Sequence, residues 1–192
     1  MRMSELRPYL ERKAAAIEAH RAGWTAAREA GDPEAGVIDV RASSRLAGVT
    51  GVRPTMAGAH PIISDSAPGL AGHALGPTAP ELLLGALASC LVHTYVIQAI
   101  LLEVPLDSVE VVVQARLDMA STLGMHGPPP LLQQITYQAQ VASSSSAEAV
   151  EWLHAAVEAN CPVLNTLRQP AEIRRQPAPV SDATAAPGAP AG

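Results

Sequence analysis

The segment Leu82–Leu102 carries no formally charged side chain, and this run limits the chain's folding options more than any other feature. A helix of about 20 residues is a rod of ~30 Å. If it is apolar on every face, it must be buried in protein or in lipid. Ser89, His93, Thr94 and Gln98 interrupt the run, and each is costly in hydrocarbon. Glu81 and Glu103 flank it, with no Lys or Arg cluster to set an orientation. The reading is a helix buried in protein, with no membrane partner. A chain of 192 residues struggles to surround such a rod alone. The expectation is a dimer whose two central helices shield each other.

The segments on either side sort by period. Leu6, Leu10, Ala14, Ile17 and Arg21 recur at helical spacing, which predicts a helix over 4–30 ended by Gly31-Asp32-Pro33. Val37–Ala42 and His60–Ser64 read as short strands, with Gly48, Gly51, Pro54 and Gly58 marking turns between them. Residues 66–79 form a Gly/Pro/Ala-rich loop, and loops of that length inside a domain are often functional. Ser108–Leu117 is β-branched, and Ile135–Val141 alternates as a half-buried antiparallel strand does. Leu123–Pro130 is the turn between them. Ser145-Ser146-Ala147-Glu148 has the form of a capping box, opening a helix whose stripe is Val150, Leu153, Val157, Cys161 and Leu164. Pro162 starts a new helix, and Pro170–Ile173 is a candidate last strand. The division is a helical extension (1–33), a core domain (36–175) and a disordered Pro/Ala-rich tail (176–192).

Aromatic residues are 3% with no Phe, so the core is aliphatic. A net charge of −5 argues against a nucleic-acid partner. The amino terminus lacks a secretory apolar stretch, and a cytoplasmic location is expected. The two cysteines make neither a disulfide framework nor a metal site, and no cofactor is implied. In a reducing compartment a cysteine pair is more often catalytic or sensory.

Their settings differ. Cys90 lies inside the apolar run, whereas Cys161 lies at the join of two helices, where the helix dipole favours thiolate. A thiolate can cleave a peroxide O–O bond and become a sulfenic acid, which a second thiol condenses to a disulfide. Burial alone raises a thiol pKa, so Cys90 needs a cation or a hydrogen-bond donor. The candidates are His93, one helical turn on, and Arg41, Arg45 and Arg53 from the amino-terminal strands. Glu81 is nine residues before Cys90, about 180° around a regular helix, which suits a helix cap or a group steering an arginine. Each of these residues also has a plain structural reading, as a core thiol, a satisfied histidine or a surface arginine.

Thr78-Ala79-Pro80-Glu81-Leu82-Leu83-Leu84-Gly85-Ala86-Leu87-Ala88-Ser89-Cys90 resembles the helix motif of the OsmC/Ohr family, the osmotically inducible and organic hydroperoxide resistance proteins. Leu106–Val111 resembles the strand after that helix, and Cys161-Pro162-Val163-Leu164-Asn165 resembles the second cysteine motif. The resemblance covers roughly residues 36–175 and lies closer to the OsmC-like branch. It implies an α+β fold in which antiparallel sheets wrap central helices in an intertwined homodimer. It also implies a peroxidase for organic hydroperoxides, with Cys90 peroxidatic and Cys161 resolving. Arg45 or Arg53 would be the site arginine, Glu81 the site acid, and a lipoyl-type or small dithiol the external reductant. His93 has no counterpart role to carry over. The alternative is a non-catalytic dimer of the same fold that binds a small apolar ligand or senses redox state.

Overall fold

The computed structural model describes residues 3–169 and 171–177. Helix α1 (Met3–Glu29) leads into a three-stranded antiparallel sheet of β1 (Ala42–Ser44), β2 (Arg53–Ala57) and β3 (His60–Ser64). Helix α2 (Ala79–Leu101) follows, then the antiparallel pair β4 (Ser108–Leu117) and β5 (Leu132–Ala142), then α3 (Ala147–Asn160) and α4 (Pro162–Arg168). The chain is therefore mixed α+β, with two small antiparallel sheets.

The start of α2 is set locally. Glu81 accepts the Thr78 N–H at 2.7 Å, while the Glu81 N–H points back to Thr78 Oγ1 at 3.5 Å. Pro80 occupies the first turn, where its missing N–H costs nothing. This is a full capping box. The box expected at Ser145–Glu148 does not form. The cap there is Ser146, whose Oγ accepts the Ala149 N–H, so Glu148 falls one position short of reaching back.

Leu87, Leu91, Thr94, Tyr95 and Ala99 form the buried stripe of α2. They meet Leu153 and Val157 of α3, Leu164 of α4, and the inward residues Val109, Val111 and Val113 of β4. Leu87, Leu91, Leu153 and Val157 are at most 1% exposed. Burying each such side chain contributes roughly 1.5–3 kcal/mol. The other faces of α2 stay open within the chain, as at Leu83 and Leu101, each 39% exposed. By length and composition α2 could cross a membrane.

The alternation expected in Ile135–Val141 is present. Tyr137, Ala139 and Val141 face the helices, opposite Val113, Val111 and Val109. A bulge near Gln134, whose φ is +52°, ends that regularity and turns Ile135 partly outward.

Two expected strands are corrected. Residues 37–40 form no strand, the Arg41 carbonyl accepts the Gly58 N–H at 2.9 Å, and the β1 ladder begins at Ala42. After α1 the chain folds back on Trp24, where Gly36 adopts a φ of +90° and Arg28 donates to the Ala35 carbonyl. Among the described residues no strand pairs with residues 37–40, and Ile38 and Val40 remain exposed. Ala171–Ile173 also lacks a partner and is not a strand. Pro170 and residues 178–192, most of the expected tail, lie outside the described residues.

The 66–77 loop is ordered around Asp65. This carboxylate is fully buried and accepts the N–H groups of Ser66 (2.7 Å), His73 (2.9 Å) and Leu75 (3.2 Å). Those backbone donors hold it below the usual carboxylate range, Leu75 first and then Ser66. The loop closes so tightly that a Cβ at Gly72 would lie 1.9 Å from the Ser66 carbonyl oxygen.

Candidate functional site

Cys90 lies on α2 at the edge of the buried stripe and is partly buried. Cys161 is fully buried at the bend between α3 and α4. Its N–H closes α3 on Val157 O at 2.9 Å, and its carbonyl accepts the Asn165 N–H at 3.0 Å to open α4. Its extended backbone (φ −79°, ψ 111°) makes it the last cap of one helix and the first of the next. Pro162 forces this break because it cannot extend α3.

The bend brings the two thiols together. Cys90 packs against the buried cluster that holds Cys161, and α4 lies against α2 there. Both cysteines are free thiols. Burial pushes the Cys90 thiol up. The Val163 N–H works against this, and the neighbouring Cys161 adds to the upward shift. The donor at Val163 belongs to the first turn of α4, whose N–H groups have no partner within their own helix.

The remaining sequence candidates lie elsewhere in this chain. Glu81 is engaged in the α2 cap, where the Thr78 N–H lowers its pKa. Arg53, on β2, donates to the Gly51 carbonyl and to Ser66 Oγ at 3.2 Å. Arg41 and Arg45 are exposed around β1. The β1–β3 sheet has no extensive packing on α2 among the described residues, so within one chain it brings no arginine to Cys90. His93 points toward α1. It lines a cavity of about 450 Å³ with Tyr9, Leu10, Ser89, Val96 and Val109, and desolvation lowers its pKa. No cluster of His, Cys, Asp or Glu among the described residues could hold a metal ion.

Sequence reasoning missed a set of polar pairs that tie α2, α3, α4 and β5 together. Tyr95 of α2 is fully buried, and its hydroxyl pairs with His154 Nδ1 at 2.5 Å. Tyr137 of β5 donates to Glu158 Oε1 at 2.6 Å, and Arg168 of α4 donates to Glu158 Oε2 at 2.9 Å. These two donors hold the Glu158 carboxyl below its ordinary range, Tyr137 first. One signal was available. Tyr137 falls on the inward face of an alternating strand, so its hydroxyl needs a polar partner inside the fold.

The family model of the OsmC-like protein matches residues 72–175, more than half of the chain. The chain belongs to the OsmC-like family. The match spans α2, both thiols and these polar pairs, and leaves α1 and β1–β3 outside. No curated protein matches the OsmC-like chain. Solved structures similar to it include an OsmC-like protein from Mycoplasma pneumoniae, at 20% identity and a TM-score of 0.58, covering 69% of this chain and 89% of that one. An OsmC-like protein of unknown function from Vibrio cholerae is 13% identical with a TM-score of 0.54, covering 68% and 94%. An organic hydroperoxide resistance protein from Legionella pneumophila is 16% identical with a TM-score of 0.51, covering 69% and 90%. At these identities the OsmC-like chain shares the fold with them, and its chemistry has to be argued from its own residues.

Proposed function

We propose that this protein is a cysteine-based peroxidase that reduces organic hydroperoxides as a cytoplasmic homodimer. The observation that carries the reading is the packing of Cys90, on α2, against the buried cluster that holds Cys161 at the α3–α4 bend. The Cys90 thiolate attacks the terminal peroxide oxygen. An S–O bond forms, the O–O bond breaks, and the alkoxide leaves as alcohol after taking a proton. The Cys161 thiolate then attacks the Cys90 sulfur. An S–S bond forms, the S–O bond breaks, and hydroxide leaves as water. An external dithiol of lipoyl or small-molecule type returns both thiols by two exchange steps and is itself oxidised.

The raised Cys90 thiol needs a cation, and Arg45 or Arg53 supplies it from a second copy. Two features support that assignment: the open faces of α2 and a β1–β3 sheet that does not pack on its own α2. In the test, purified protein, organic hydroperoxide and a dithiol are combined. Cys90→Ser loses peroxide consumption, and Cys161→Ser completes one turnover and stalls. Wild-type rates persisting in Cys90→Ser overturn the reading.

A second reading is favoured by the apolar cavity between α1, α2 and β4 together with the raised Cys90 thiol. It is a non-catalytic dimer that binds a small apolar ligand or senses redox state. It expects thiols that resist alkylation in the folded protein and no turnover with any dithiol.

A further inference from the structure

Cys161 sits at a sharp bend, and a two-helix bend is not rigid by itself. Three elements meet around this one. Asn165 Nδ2 reaches back across it to the Ala159 carbonyl at 3.0 Å. Arg168, in the last turn of α4, reaches back to Glu158 in the last turns of α3 at 2.9 Å. The second oxygen of the same carboxylate is held by Tyr137 from the sheet at 2.6 Å. Glu158, on α3, is thus joined at once to α4 and to β5.

We infer that Glu158 is a positioning residue for the resolving thiol. With Tyr137 and Arg168 it clamps the α3–α4 bend, so that the Cys161 sulfur and the Val163 N–H are held against Cys90. This deepens the peroxidase reading by assigning control of its second step.

The physical case is one of orientation. Condensation of a sulfenic acid with a thiol runs at a rate set by how often the two sulfurs are correctly placed. A small displacement of a reacting group costs orders of magnitude. The first step, attack on peroxide, uses only Cys90 and is far less sensitive to where α4 sits. Both bonds to Glu158 are charge-assisted, the stronger class of hydrogen bond. The Arg168–Glu158 pair is about half exposed, so its contribution here is geometric more than energetic. Between them, the two bonds restrain the rotation that would swing α4 off α2.

The test separates the two steps. Sulfenate formation is followed by trapping with a dione after a peroxide pulse, in variants that also carry Cys161→Ser. Disulfide formation is followed by non-reducing mass spectrometry in variants that retain Cys161. Glu158→Ala, Tyr137→Phe and Arg168→Ala are compared with wild type, and Arg168→Lys serves as the conservative rescue. Expected is disulfide formation slowed by about tenfold or more in Glu158→Ala, the scale of a misplaced reacting group. The sulfenate should instead proceed to sulfinic acid, with sulfenate formation within about threefold of wild type, and Arg168→Lys should keep most of the rate that Arg168→Ala loses. If Glu158→Ala does not fold, Tyr137→Phe and Arg168→Ala carry the same expectation singly.

Equilibration of each variant with oxidised and reduced dithiothreitol gives the Cys90–Cys161 disulfide constant with no peroxide present. Loss of the clamp should lower it by about tenfold. Unchanged disulfide rates and unchanged constants in Glu158→Ala overturn the inference, as does equal slowing of both steps. A wild type that forms no sulfenate defeats the peroxidase reading alone, because the dithiothreitol constants still decide the clamp.

Discussion

Thr94 Oγ1 donates to the Cys90 carbonyl oxygen at 2.8 Å, one turn along α2 from the thiol that burial raises. Thr94 is 5% exposed, so no water shares this duty freely. The hydroxyl works against the burial that raises the thiol. Thr94→Val keeps the shape and removes the donor. Any further rise would lower the thiolate fraction at neutral pH by about tenfold per unit. Alkylation of Cys90 in the Cys161→Ser background should slow in proportion, and Thr94→Ser should restore it. An unchanged alkylation rate would show that the hydroxyl serves only the helix.

Tyr95 and His154 pair across α2 and α3 inside the core. Tyr95→Phe removes one member and leaves the half-buried imidazole short of a partner, at a cost of about 1–2 kcal/mol. Urea unfolding at neutral pH measures this. Burial also lifts the Tyr95 phenol from 10.0 to about 12. A raised folded pKa means that the neutral form is favoured by folding. Its stabilisation is complete below pH 10 and is lost as pH rises toward 12. Tyr137 is shifted upward as well, by burial and by Glu158. Stability should therefore fall above pH 10, and less steeply in Tyr95→Phe.

Leu91 and Leu83 sit on the same helix with opposite fates. Leu91 is fully buried and Leu83 is 39% exposed. Leu91→Ala should cost about 2–5 kcal/mol in unfolding experiments, the range for a core leucine. Leu83→Glu should leave the circular dichroism spectrum intact and change the assembly. By sedimentation, wild type should run at twice the chain mass and Leu83→Glu at the chain mass. A wild type that runs as a single chain removes the support for a shared active site.

Asp65 organises its loop only while it is ionised. Its folded pKa is depressed below 3.8, so its contribution is present above that value and lost as pH falls below it. Asp65→Ala should release the amides of Ser66, His73 and Leu75, with exchange at neutral pH faster by about tenfold or more. Exchange that remains slow at those amides would mean the loop is held by Gly72 packing and its backbone turns alone.

The elements with a strong period were legible in the sequence. The uncharged run Leu82–Leu102 gave a helix, and Tyr137–Val141 gave an inward face, because burial writes itself into residue spacing. Thr78 and Glu81 are three apart and form the capping box at the helix start, whereas the family resemblance implies a site acid at Glu81. Val37–Arg41 misled because β-branched composition signals a strand only where a neighbour exists to pair with it. Asp65 was invisible, because its partners are backbone N–H groups and sequence does not mark those.

By itself, the sequence determined the strongly periodic elements and where the chain must break, as at Pro162, since those are local consequences of spacing and backbone chemistry. Only the tertiary structure decided that positions 90 and 161 adjoin, and that Glu158 is shared by Tyr137 and Arg168. Contacts between residues distant in the chain depend on how whole elements pack, and no pattern along one segment records that.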